Sequence, residues 1–81
     1  MSLPRRPGAG QRWRHYRGHD YVVVAVAADV QDEHAVRLVV VYRGVDERPD
    51  GRTWYRPLED FIGDVELYDG LVQVQRFERV T

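Results

Sequence analysis

The chain has no cysteine, no lysine and no asparagine, and apart from its tyrosines only three hydroxyl side chains, Ser2, Thr53 and Thr81. Each gap excludes a chemistry. Without thiols there is no disulfide, no thiolate nucleophile and no cysteine-ligated zinc, so packing alone must hold the fold. Without lysine there is no Schiff base, and no hydroxyl lies in a pattern that sets it beside an oriented base. The longest apolar run, Tyr21 to Ala28, is far short of the roughly 20 residues that span a bilayer, and no signal-peptide pattern precedes it. No glycine-rich phosphate loop is present, and no cofactor is expected. From these absences a soluble, cytoplasmic protein is expected, neither an enzyme nor one with a membrane partner.

The 81 residues that remain make one domain. A chain of this length buries only about 60% of the surface its unfolded form exposes, so a deep catalytic cavity is not expected. Net charge is -1, but it is unevenly spread. Residues 1–27 hold five arginines against Asp20 alone, and the rest hold seven against twelve acids. The amino-terminal third is therefore the basic end.

Residues 1–9, with two prolines and Arg5-Arg6, show no periodicity and are expected to be a mobile basic arm ahead of a single domain over 10–81. From Gln11 to Tyr16 the residues alternate, with Trp13 and His15 on one face of a strand, and Gly18 supplies a turn. Tyr21 to Ala28 is a strand flanked on both sides, and the acidic stretch Asp29 to His34 a loop. Val36 to Gly44 is the central strand. Its face of Val36, Leu38, Val40 and Tyr42 is assigned to the core, which leaves Val39 and Val41 partly exposed between Arg37 and Arg43 unless something covers them.

Arg48-Pro49-Asp50-Gly51 is a turn. Thr53 to Arg56 is a short strand that Pro57 keeps out of a central ladder, and Leu58 to Ile62 is one helical or 3₁₀ turn with Phe61 inward. Asp69-Gly70 calls for a hairpin with positive φ at both positions, pairing Leu67 with Val72, Glu66 with Gln73 and Val65 with Val74. Phe77 is out of step with Val72 and Val74, so a bulge or bend belongs near Gln75 or Arg76. The expectation is an all-β fold: a small SH3-like barrel of five or six short antiparallel strands with one helical turn.

The order of four motifs, Arg14-His15-Tyr16-Arg17-Gly18, Val40-Val41-Tyr42-Arg43, Trp54-Tyr55-Arg56-Pro57-Leu58-Glu59-Asp60-Phe61 and Arg76-Phe77, resembles a family of small bacterial proteins catalogued as domain of unknown function 1653. The resemblance spans Gly10 to about Phe77 and implies a compact, mostly β domain with no established activity. Arg17 departs from the lysine usual there and Asp60 from methionine, and the stretch from Asp29 to Ala35 differs in content.

Paired acids at Asp32-Glu33, Asp46-Glu47 and Glu59-Asp60 fall in expected loops and turns, where they are solvated surface charge. His15, His19 and Asp20 match no metal-ligand spacing, and His15 is read as a hydrogen-bonded histidine packed behind Trp13, so no metal is expected. Binding is the class that survives. Arginine beside an aromatic recurs at Arg14, His15, Tyr16 and Arg17, at Tyr42 and Arg43, and at Trp54, Arg56 and Pro57. A planar guanidinium grips carboxylate or phosphate while a ring offers stacking area. The preferred expectation is a protein-interaction module that docks a peptide or forms a homodimer through the Val39/Val41 face. The first alternative is single-stranded nucleic acid, with Trp54 or Tyr16 stacking on bases, and the least favoured is an enzyme or metal-binding domain.

Overall fold

A computed structural model describes residues 6–32, 35–46 and 51–81. It is an all-β domain of seven short strands in two antiparallel sheets with one turn of helix. In chain order these are β1 (Arg12–His15), β2 (Asp20–Asp32), β3 (Ala35–Gly44), β4 (Thr53–Pro57), α1 (Leu58–Phe61), β5 (Asp64–Leu67), β6 (Val72–Gln75) and β7 (Phe77–Arg79). Five strands form one sheet in the order β4-β3-β2-β1-β7, and β5 and β6 form a separate hairpin. Among the described residues β4 and β7 are the open edges of the larger sheet, so its ladder does not close into a barrel.

Valine-rich β2 and β3 pair most extensively because branched side chains suit a pleated, half-buried surface. Their register shifts between Val23 and Ala25, where Val24 is an extra residue. This bulge puts Val23 and Val26 on one face despite their odd spacing, since Val23 pairs with Tyr42 and Val26 with Val40. That inner face carries Trp13, Val23, Val40 and Tyr42, and Phe61 and Phe77 cover it. The Phe61 and Phe77 rings stack 4.2 Å apart, and Trp13 meets Phe61 edge-on at 5.2 Å. A core this small is thus closed by large flat side chains, each contributing wide contact area. The indole N–H of Trp13 donates to Gln11 Oε1 at 3.0 Å, so its burial strands no donor.

The helical turn follows Pro57 as expected and delivers Phe61 to the core with Leu58 and Ile62 beside it. The hairpin register is the expected one, Leu67 with Val72, Glu66 with Gln73 and Val65 with Val74. Asp69 and Gly70 both have positive φ, and Tyr68 joins them at 56°. The chain bends at Arg76 so that β7 leaves the hairpin and pairs with β1.

Several expectations are corrected. Asp29 to Asp32 is strand, because β2 and β3 continue past the core as a two-stranded ribbon in which Asp29 faces Arg37. On that ribbon Val36 is 64% and Leu38 47% exposed, so neither is core. Only Val40 and Tyr42 lie beneath Phe61 and Phe77. Conversely Val39, expected to be partly exposed unless covered, is buried between Ala27 and Pro57 of the neighbouring strands. Residues 1–5 of the expected arm lie outside the described residues, and in the rest of it Gly8 N–H donates to Gln11 Oε1 at 2.9 Å. The turn expected at Arg48 to Gly51 lies almost wholly outside the described residues.

Candidate functional site

The expected binding residues divide between three places. Arg14 points to the outer face, where register sets it against Asp20. Its Nε donates to Asp20 Oδ1 at 2.8 Å and Nη2 to Oδ2 at 3.3 Å, and this pairing holds the Asp20 carboxyl below the usual carboxylate range. Arg14 thus has a carboxylate partner on the outer face. Arg43 is exposed on the same outer face, between Val22 and Thr53.

The second place is a corner at the end of β1. The turn after His15 is closed by hydrogen bonds from His15 N to His19 O and from Gly18 N to His15 O, both 2.8 Å, with Gly18 at φ +99°. This turn folds the Arg17 N–H back onto His15 Nδ1 at 3.2 Å, and the Arg17 guanidinium lies 5.6 Å from the Tyr16 ring. His15 packs against Tyr16 at 4.4 Å and edge-on against Phe77 at 5.1 Å. Phe77 is 5.5 Å from Tyr42, whose hydroxyl accepts from Arg56 Nε at 3.4 Å. Burial lowers the proton affinity of His15, and the charges of Arg56, Arg17, Arg76 and His19 lower it further. His15, Tyr16, Arg17, Tyr42 and Arg56 therefore share one neighbourhood.

Arg76 belongs there too and was not picked out from the sequence as a site residue. Its Nε donates to the Asp60 carbonyl at 3.2 Å and its own carbonyl accepts from Tyr16 N–H. The signal that pointed to it was the Arg76-Phe77 motif.

The third place is the β4 edge. Tyr55, Val41 and Ala25 form one cross-strand row of the outer face, and Pro57, Val39 and Ala27 form the next. A hollow of about 300 Å³ opens there, lined by Asp29, Val39, Val41, Thr53, Trp54 and Tyr55. Trp54 is 43% and Tyr55 70% exposed. On the inner side Trp54 pairs with Tyr42, and the Arg52 guanidinium lies 5.8 Å from its ring. Pro57 closes β4 and has no N–H to add to a ladder.

No group of three or more histidine, aspartate or glutamate side chains converges as a metal site among the described residues. No helix among them is long and apolar enough to cross a membrane. The fold and its arginine-aromatic corner thus define a small all-β domain with an open-edged sheet. The family model described as a protein of unknown function (DUF1653) matches residues 11–79, and the chain belongs to that family. No curated protein and no solved structure matches it.

Proposed function

We propose that this domain is a non-catalytic protein-interaction module that pairs with a second copy of itself through the β4 edge. The observation that carries this reading is the open strand Thr53–Pro57 beside an apolar hollow of about 300 Å³. An unpaired edge is a template for another strand, and natural proteins usually blunt it. Here the blunting is slight: Pro57 terminates β4, but Trp54 and Tyr55 stand exposed along it.

The strand also complements itself. In an antiparallel pair centred on Tyr55, Tyr55 meets Tyr55 of the second copy and lies over Val39 and Val41, while Trp54 falls opposite Arg56 of the second copy. Ring against ring and ring against guanidinium are both favourable cross-strand pairs. Pairing two identical edges closes the assembly at a dimer, and a net charge of -1 leaves little repulsion to oppose it.

The absence of native cysteine makes the test clean. Opposed residues of an antiparallel pair have Cα atoms about 4.5–5.5 Å apart, within disulfide range. Tyr55→Cys should therefore cross-link to itself on mild oxidation, whereas Thr53→Cys, placed opposite residue 57, should not. Equal cross-linking of both, or of neither, sinks the proposal.

A second reading is single-stranded nucleic acid, favoured by the exposed Trp54 ring with Arg52 beside it. It requires salt-dependent binding of a fluorescent oligonucleotide, and no binding at low salt removes it.

A further inference from the structure

The inner face of the five-stranded sheet is closed only over its middle. Beyond the buried Val40 the β2–β3 ribbon runs on with Leu38 and Val36 uncovered, and Val26, cross-strand from Val40, is still 39% exposed. Exposed apolar side chains that adjoin one another, unlike single ones, mark a surface that binds something apolar. Here Val26 and Leu38 open into a hollow of about 350 Å³, lined also by Arg6, Pro7, Leu58 and Ile62.

The walls of this hollow are held from behind. Leu58 and Ile62 pack against the buried core, and the Ile62 N–H closes the helical turn on the Leu58 carbonyl at 3.0 Å. The Arg6-Pro7 wall is set by the segment that follows it. Gly8 N–H donates to Gln11 Oε1, the Gly8 carbonyl accepts the Gln11 N–H at 3.2 Å, and Gly10 N–H donates to the Val23 carbonyl of β2 at 2.9 Å. Walls fixed before a ligand arrives lose little freedom when it binds.

The lining also says which ligand fits. Five of its six side chains are apolar and the sixth is a guanidinium. Arg14 pairs with Asp20, but Arg6 has no carboxylate partner among the described residues. Glu59 and Asp60 are exposed beside Leu58 on α1 and do not line the hollow. An apolar chamber with one cation at its wall suits an apolar body that carries one negative charge, and the planar fork of arginine matches a carboxylate. At about 30 Å³ for each water-sized group, a hollow of about 350 Å³ takes about a dozen, the heavy-atom count of a ten-carbon acid.

We propose that this hollow binds a medium-chain carboxylate, its alkyl chain on Val26, Leu38, Leu58 and Ile62 and its carboxylate on Arg6. A cationic amphiphile would set like charge against Arg6, and a neutral one would leave the guanidinium unused. The site shares no lining residue with the outer hollow beside β4, so each proposal stands or falls without the other.

The test is a titration of the intact chain with sodium hexanoate, octanoate and decanoate, each below its micelle concentration and at fixed ionic strength. The methyl resonances of Leu38, Leu58 and Ile62 are followed by NMR. Saturable shifts are expected at these methyls and not at Leu71, which is exposed on the β5–β6 turn. Burying one methylene is worth about fourfold in affinity, so each two-carbon extension should tighten binding on the order of tenfold. Arg6→Met should weaken decanoate about fivefold and leave 1-decanol unchanged. Leu38→Asp should weaken decanoate roughly tenfold or more. Both positions are exposed, so neither variant threatens the fold, and Leu71→Ser should leave the titration unchanged. Decanol binding as tightly as decanoate, decanoate binding unmoved by Arg6→Met, or affinity that does not rise with chain length overturns the proposal. Association with anionic phospholipid vesicles, without any saturable shift from decanoate, overturns it as well.

Discussion

The inner and outer faces of the five-stranded sheet are built from the same valine-rich strands and end differently. On the inner face Trp13, Val23, Val40 and Tyr42 lie under Phe61 and Phe77, and the chain closes that side with its own aromatic rings. On the outer face Val41 and Ala25 share a row with Tyr55, which is 70% exposed beside an open hollow. One helical turn and a few large rings are enough to close a single side of a sheet this size. The difference teaches that folding completes the inner face within one chain and leaves the β4 end of the outer face open among the described residues.

The comparison breaks most easily at the aromatic lid. Phe61→Ala or Phe77→Ala should cost about 3–5 kcal/mol, comparable with the whole stability of a domain this small. Loss of a cooperative urea transition would show it, whereas a shift under about 1 kcal/mol would mean the lid does not close the core. Next in size is a matched pair on β3. Val40→Ala, fully buried, should cost about 2 kcal/mol, and Val41→Ala under about 1 kcal/mol, because only the first leaves a closed cavity. Equal costs would mean that the two faces are equally covered. Smaller still is the ribbon: Val36→Ser should change stability by less than about 0.5 kcal/mol, as surface substitutions do.

A pH titration of stability sharpens the corner. Burial and the nearby arginines make folded His15 harder to protonate than the unfolded residue, whose pKa is about 6.5. Between the lowered folded value and about 6.5 the unfolded chain binds more protons, so stability rises with pH across that window. His15→Gln should flatten the rise. An unchanged slope in that variant would place the dependence elsewhere.

How much of this was legible in the sequence depended on how local each feature is. The β5–β6 register followed from Asp69-Gly70, because a tight turn with two positive-φ positions fixes every pair behind it. The break at Arg76 followed from Phe77 falling out of phase. The exposure of Val36 and Leu38 was not legible. Periodicity identifies a face, and Val36, Leu38, Val40 and Tyr42 do share one, but it cannot say that α1 and Phe77 reach only as far as Val40. Asp29 to Asp32 looked like a loop because acidic residues are poor strand formers, and opposition to Arg37 across the ribbon outweighs that preference. The corner was half legible: His15, Tyr16 and Arg17 are neighbours in sequence. That Arg56 of β4 and Arg76 after β6 act on the same imidazole is a product of tertiary folding.

The claim that the outer face is completed by a second copy meets its most direct test in sedimentation equilibrium over micromolar to millimolar concentrations. The average mass should rise from 9.5 kDa toward twice that value. Tyr55→Asp, at an exposed position, should hold it at the lower limit with an unchanged urea midpoint. A wild-type chain that stays at 9.5 kDa throughout would contradict the account.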